Sequence, residues 1–484
     1  MTVLHIAHPS LDERAAHGRQ AREHATLDSH GGWQAATDRP DPVALLEAQN
    51  LTRESDLVPV RHGRMMASPF TFYRGAAKVM AADLQKTPTA GLDVQLCGDA
   101  HLSNFGAFAS PERRLLFDLN DFDETLPGPF EYDVKRMAAS FMIAARNNGH
   151  SKSEARASTM ASVTAYREAM LSFAQMGTLD IWYAHLDADE LVQSLKAVAM
   201  APHKGNKKRA KGADKAAQKA WKTAEKNRQK THSKDSLQAL SKLGEEVNGA
   251  FRIVSQPPVV VPLRDLATTY GLDAEQADKA IRDQFRAYRA TLEPDRRRLL
   301  ERFEVVDAAR KVVGVGSVGT RAFIVLLQGR DSGDPLFLQI KEATSSVLED
   351  YLPKSRYKQA GERVVQGQRM MQATSDIFLG WTKGLDVQRH FYWRQLRDMK
   401  GSALVETMIP STLGFYAGVC GWTLARAHAR SGDPVAMAQY LGTGDAFDKS
   451  ITDFSSRYAD QNDEDFNAFV QAVRTGRLEA IEGV

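Results

Sequence analysis

The side chains of this chain that could do chemistry are concentrated between Val94 and Asp133, in VQLCGDAHLSNFGAFASPERRLLFDLNDFDETLPGPFEYD. Gly98, Asp99, His101 and Asn104 crowd into one loop, and Asn120, Asp121, Asp123 and Glu124 follow after a short interval. Two carboxylates and an amide brought to one spot are what phosphoryl transfer needs. One carboxylate orients the attacking hydroxyl, while an Asn and an Asp hold the metal ion that bridges nucleotide phosphates. Asp99 and Asn104 have the D-x-x-x-x-N spacing of a phosphoryl-transfer loop, and Asp121-Phe122 stands where a D-F-G-type metal carboxylate would follow a short hairpin. Asp99 is therefore the candidate catalytic carboxylate. Asn104 and Asp121 are candidate metal ligands, with Asp123 as a helper.

The elements that must position these groups are legible around them. Val94 and Leu96 alternate as a short strand. Ser110-Pro111-Glu112 is a turn, and Leu115 to Leu119 is a strand ending at the acidic cluster. Asp133 opens a helix with Val134, Met137, Ala138, Phe141 and Met142 at core spacing, a position from which it can cap the helix and brace the loop. That helix ends at Gly149, and Ser151 with Glu154 forms a capping box for the next. Upstream, a helix follows Pro69 with Phe72, Ala76, Val79 and Met80 on one face. Arg74 and Lys78 of that segment read as cations on its solvated side. His428, on a helix after Pro410, reads as packing or surface.

A second motif lies far downstream. Gly314, Gly316 and Gly319 form G-x-G-x-x-G. A dinucleotide fingerprint needs a helix directly after the glycines and an acidic residue about 20 positions on. Here the β-rich TRAFIVLL follows, then the turn QGRDSGDP, then a third strand, LFLQIKEA. A glycine hairpin between strands is instead a phosphate cover, because backbone N–H groups can approach phosphate oxygens where no Cβ intervenes. The third strand presents Lys341 to the α- and β-phosphates, and such a lysine pairs with a helix glutamate. Glu362 is the first choice and Glu349 the second. Two more β-like runs follow, and Arg394 to Lys400 is expected as a hinge whose backbone reads adenine.

The bulk numbers are those of an ordinary globular chain. The 484 residues are 43% hydrophobic and 25% charged, with a net charge of +3 that gives no argument for nucleic acid. Two cysteines, Cys97 and Cys420, cannot make a disulfide framework. No run reaches the ~18 apolar residues of a membrane span, and the start has no signal pattern, so a soluble cytoplasmic protein is expected. Residues 204–234 differ, with twelve Lys and Arg against Asp214 and Glu225, a local net of +10. They read as a polar helix or disordered insert, a solvated stretch able to dock an anionic partner. Residues 1–40 read as an N-terminal arm. Residues 41–250 read as a helical lobe with the catalytic and metal loops, 251–400 as a β-rich nucleotide-binding lobe, and 401–484 as the helical remainder.

The segments MMASPFTFYRGAA, LCGDAHLSNFGAF, NDFDET and LARAHARSGD resemble a bacterial domain-of-unknown-function family related to the protein-kinase-like and aminoglycoside-phosphotransferase-like superfamily. The family resemblance runs from about Asp41 over most of the chain. The superfamily pattern, H-G-D-x-x-x-x-N followed by I-D-F/W, covers less. It implies Asp99 as catalytic base, Asn104 and Asp121 on the metal, and Asp133 bracing the loop. Cys97 stands where the first, mostly structural His is usual. The glycine loop and Lys341 come after the catalytic loop, the reverse of the kinase order. The expected fold is therefore α+β, kinase-like and two-lobed, and circularly permuted. The expected function is an ATP- and Mg²⁺-dependent phosphotransferase acting on a hydroxyl-bearing small molecule or protein. The alternatives are a non-catalytic nucleotide-binding regulatory module and an AMP transferase. A two-metal phosphoesterase using Asp99, His101, Asp121 and Asp123 lacks a further His-rich motif to complete its site.

Overall fold

The computed structural model describes residues 8–200, 207–232, 236–247, 250–312, 314–396 and 399–483. The fold is α+β. Its centre is the helix Phe130–Asn147, which is buried on every side over its first four turns. A helix buried all round needs other elements on all faces. Lys152–Phe173, Pro410–Ala429 and Ala446–Arg474 supply them, together with the two-stranded sheet of Asp93–Leu96 and Leu126–Pro129. Phe130, Tyr166, Tyr440 and Phe447 pack their rings together in this core.

The second mass is a six-stranded antiparallel sheet. Its order is Gly380–Lys383, His390–Gln395, Pro335–Ala343, Ala322–Gln328, Glu304–Lys311, Val260–Pro262. The glycine motif is the turn between Glu304–Lys311 and Ala322–Gln328, as expected. Strand alternation splits this sheet into two faces. Leu336, Leu338 and Ile340 meet Ile281, Phe285 and Tyr288 of the helix Ala274–Arg289 on one face. On the other, Ile324, Leu326 and Phe337 are covered by Leu240, Leu243 and Ile253.

Several local expectations change. The segment after Pro69 is two helices, Pro69–Gly75 and Ala77–Leu84, which break at Ala76, although Phe72, Ala76, Val79 and Met80 are all buried. Lys207–His232 of the basic insert is helical, and the ends of that insert lie outside the described residues. Among the described residues, no helix is long and apolar enough to cross a membrane.

The N-terminal segment is not a free arm. Leu11–His24 is a helix with a complete capping box from Ser10 and Glu13. It lies so close to the helix Pro434–Leu441 that a Cβ on Gly18 would sit 2.0 Å from the Ala436 carbonyl oxygen. Arg22 donates to the Tyr440 carbonyl at 2.6 Å, and buried His30 sits 2.6 Å from the Tyr440 hydroxyl. The low hydropathy of this stretch hid a docking surface made of side-chain hydrogen bonds. Burial, and then the Lys135 charge, push the His30 imidazole down to about 3. A histidine held neutral by the fold contributes stability above its unfolded pKa, which is lost as pH falls below about 6.5 toward 3. At pH 5 the loss is about 2 kcal/mol. Limited proteolysis at pH 7.5 and pH 5 should show the segment up to residue 40 opening in the acid sample, and a His30→Gln variant should show no such pH dependence.

Candidate active site

The loop after Asp93–Leu96 is set by its backbone. Gly98 has φ +83°, and a Cβ there would fall 2.1 Å from the Glu124 carbonyl oxygen, so only glycine lets the Asp99 loop and the acidic loop touch. Asp133 does not cap its own helix, which begins at Phe130. From the first turn its carboxylate reaches back to accept the N–H groups of Cys97 at 2.7 Å and Gly98 at 3.0 Å. The expected brace is thus present, and His428 completes it. That imidazole is fully buried, with Nε2 3.2 Å from Asp133 and Nδ1 2.8 Å from the Tyr166 hydroxyl.

Asp99 lies directly beyond the brace. Arg136, one helical turn after Asp133, donates Nε to Asp99 Oδ1 at 2.7 Å and stacks on the Tyr73 ring at 3.8 Å. Asn104 Nδ2 donates to the Asp99 carbonyl at 2.8 Å. Burial raises the Asp99 pKa, against the pull of Arg136 and Arg74. Its Oδ2 lies 3.7 Å from His101 Nε2. The same burial holds His101 neutral.

The acidic loop follows Leu115–Leu119, and its two aspartates divide the work. Asp121 is the more open, its side chain 31% exposed and 3.6 Å from Lys341 Nζ. Asp123 is committed: Lys341 Nζ donates to Oδ2 at 2.5 Å and the Tyr392 hydroxyl to Oδ1 at 2.7 Å. Burial alone would raise its pKa, but Lys341 and Tyr392 bring it below the usual carboxylate range. Glu124 accepts the Val347 N–H at 2.7 Å, and burial pushes its carboxyl up to about 7.

Lys341 is the largest departure from expectation. It is 2% exposed, and Asp121 and Asp123 hold it protonated against a burial that would discharge it. It stands behind the acidic pair rather than on the cavity wall. Neither predicted glutamate pairs with it. Glu362 lies on the helix Ala360–Met371, but the next residue, Arg363, faces the site, donating to the carbonyls of Asp123, Thr125 and Thr344. Glu349 sits 3.9 Å from Arg363 instead. Asp123 supplies the counter-charge expected from the helix. Arg136, Tyr392 and Arg363 were not found from sequence. Only Arg136 carried a signal, its i+3 spacing from Asp133, which puts both on one helix face.

These groups line one cavity of about 600 Å³. Asp99, His101, Asn104, Asp121, Asp123 and Glu124 form one wall, and Gly314, Gly316 and Ser317 of the glycine turn form another. Gly319 is not on the wall, but it anchors the turn. Its carbonyl accepts the Glu54 N–H at 2.7 Å, while Arg53 donates to the Val318 carbonyl and Arg64 to that of Gly314. Arg74 and Lys78 also line the cavity and are not simply solvated, with Lys78 paired to Asp350 at 2.9 Å. The expected hinge offers no free donor at its start. Gln395 N–H goes to Asp376 and Leu396 N–H to the Phe337 carbonyl, while residues 397 and 398 lie outside the described residues.

Among the described residues, no three His, Cys, Asp or Glu side chains converge as a metal cage. Mg²⁺ does not require one, since it takes one or two carboxylates and completes its shell with water and substrate phosphates. Asp121 and the Asn104 side-chain oxygen fit that role. Asp123, with both oxygens engaged, fits the role of counter-ion better. The brace is testable by itself. Asp133→Ala should lower unfolding free energy by about 3 kcal/mol, because it strands two buried N–H groups and His428, and chemical denaturation would measure the loss.

No curated protein and no solved structure matches the chain. The family model for an uncharacterized protein conserved in bacteria, DUF2252, matches residues 53–472. That span takes in the Asp99 loop, the acidic loop, the glycine turn and Lys341, and the chain belongs to the DUF2252 family.

Proposed function

We propose that the chain is a Mg²⁺-dependent phosphotransferase that moves a phosphoryl group from ATP to a hydroxyl-bearing acceptor, on a circularly permuted kinase-like fold. The observation that carries this reading is one cavity shared by Asp99, Asn104, Asp121 and a glycine turn whose sheet also bears Lys341. The order of elements within the sheet supports it as well: glycine hairpin, lysine strand, helix, two strands.

Asp99 Oδ2, free of the Arg136 bond, would accept the acceptor's hydroxyl proton as that oxygen bonds to the γ-phosphorus and the bond from the γ-phosphorus to the β,γ-bridging oxygen breaks, releasing ADP. Arg136 and the Asn104 amide keep that carboxylate in one orientation. Asn104 and Asp121 would hold Mg²⁺, which neutralises phosphate charge. The glycine turn offers backbone N–H groups to the phosphates. Lys341 balances Asp121 and Asp123, so that a polyanion can approach two carboxylates without repulsion. The sheet face beyond Lys341 is filled by Gln339, Arg394 and the Leu240–Leu243 cluster.

The test is transfer from ATP labelled on the γ-phosphate, with Mg²⁺, in a lysate of small molecules and proteins. Wild type should transfer label and Asp99→Ala should not. Asp121→Ala should abolish Mg·ATP turnover while the protein stays folded, and Lys341→Met should lose transfer and about 3 kcal/mol of stability through the uncompensated acidic pair. Transfer from α-labelled ATP instead would make the chain an AMP transferase. Mg²⁺-dependent ATP binding without transfer from either label would make it a regulatory module.

A further inference from the structure

We infer that Arg74 is the phosphate-gripping residue of this cavity, kept without a partner in the free protein so that its guanidinium can take a phosphoryl oxygen between the glycine turn and Asp99. Naming the ligand as the transferred phosphate rests on the phosphotransferase reading. The anion site itself rests on what the other cations are doing.

Nearly every cation around the cavity is spent. Arg53 is bound to the Val318 carbonyl, and Lys78 to Asp350. Arg136 holds Asp99, and Lys341 the acidic pair. Arg363 serves three carbonyls, and Arg389 is paired to Glu342 at 2.7 Å. Lys358 is exposed, an ordinary surface lysine. Arg74 makes no hydrogen bond or ion pair among the described residues, and its Nε is buried. The Phe70 ring centre lies 5.9 Å from its guanidinium carbon.

A half-buried guanidinium with no partner is costly, because burial strips its water and returns nothing. Burial indeed lowers its pKa, with only the more distant charges of Glu406 and Asp99 pulling the other way. Asp99, the carboxylate of the site whose charge acts on Arg74, is already claimed by Arg136. A group kept at such cost is kept for a ligand. Its position gives the ligand's chemistry. Arg74 is in the last turn of Pro69–Gly75, and the chain passes so near the glycine turn that a Cβ on Gly316 would lie 3.2 Å from the Arg74 carbonyl. Backbone N–H groups on one side and a planar, five-donor fork on the other suit a tetrahedral phosphate.

The probe is inorganic tripolyphosphate with Mg²⁺, which carries the phosphates and no base. It is titrated calorimetrically into full-length wild type, Arg74→Ala and Arg74→Lys. Ligand-free melting and γ-label transfer are followed on the same proteins. Affinity should fall about tenfold or more in Arg74→Ala and recover partly in Arg74→Lys. Ligand-free Arg74→Ala should melt no lower than wild type, since no bond is lost. Equal affinity in all three proteins, or no binding to wild type, overturns the inference. So does a lower ligand-free melting temperature, which would make Arg74 structural. Binding that needs Arg74 with no label transfer would keep the anion site and remove the phosphotransferase. Asp99-dependent transfer untouched by Arg74→Ala would do the reverse.

Discussion

The first two turns of the helix Phe130–Asn147 bury two acidic and two basic side chains, and the rest of the site depends on where each is spent. Glu131 accepts the Ala90 N–H at 2.6 Å, and Lys135 reaches the Pro88 carbonyl at 3.3 Å. Asp133 takes the N–H groups of Cys97 and Gly98, and Arg136 takes the Asp99 carboxylate. All four act on the twelve residues from Pro88 to Asp99. Burying charge is tolerable only when each group is paired, and removing one partner leaves the other stranded. The cost of the buried helix therefore becomes the rigidity of the loop. Asp99 is held at its carboxylate by Arg136 and at its backbone carbonyl by Asn104, so its orientation is fixed at both ends.

The acidic loop is organised by a different balance. Two aspartates within three residues would repel, and a buried lysine would lose its proton. Each corrects the other: Lys341 lowers the Asp123 pKa, and the aspartates keep Lys341 charged. Tyr392 adds a neutral donor to Asp123 and leaves Asp121 the freer of the two. The division between the engaged and the freer carboxylate follows from hydrogen-bond occupancy, not from residue type.

How much of this was legible depends on the range of the interaction. The strands at Val94 and Leu115, the helix through Phe141, the capping box at Ser151 and the glycine hairpin all follow from local periodicity and turn chemistry, and all are present. The loop spacing brought Asp99, Asn104 and Asp121 to one cavity. Partner choice was not legible. Glu362 and Arg363 are neighbours in sequence, but a helix turns about 100° between them, and only packing decides which faces the sheet. Arg74 read as solvated because the helix was taken as continuous. The break at Ala76 re-aims its last turn. The N-terminal segment read as an arm because its anchors are hydrogen bonds from Arg22 and His30, which no hydropathy pattern reports.

The contacts that close the site also bear on chain order. The glycine turn is held by Arg53, Glu54 and Arg64, which precede the catalytic loop, and Ser317 reaches Asp123 at 3.4 Å. Asp133 is completed by His428, from the last helical stretch. Every one of these pairs spans well over a hundred positions, so no contiguous piece of the chain contains a finished site. Long-range closure of this kind costs loop entropy before any contact repays it. It also makes the cavity a reporter of the whole fold: the helices from the two ends of the chain must be docked before the glycine turn, Asp99 and the acidic pair face one another. The glycine turn can follow the Asp99 loop in the chain and still face it because the joining groups, Arg53 with Val318 and Lys341 with Asp123, are side-chain contacts rather than links along the backbone.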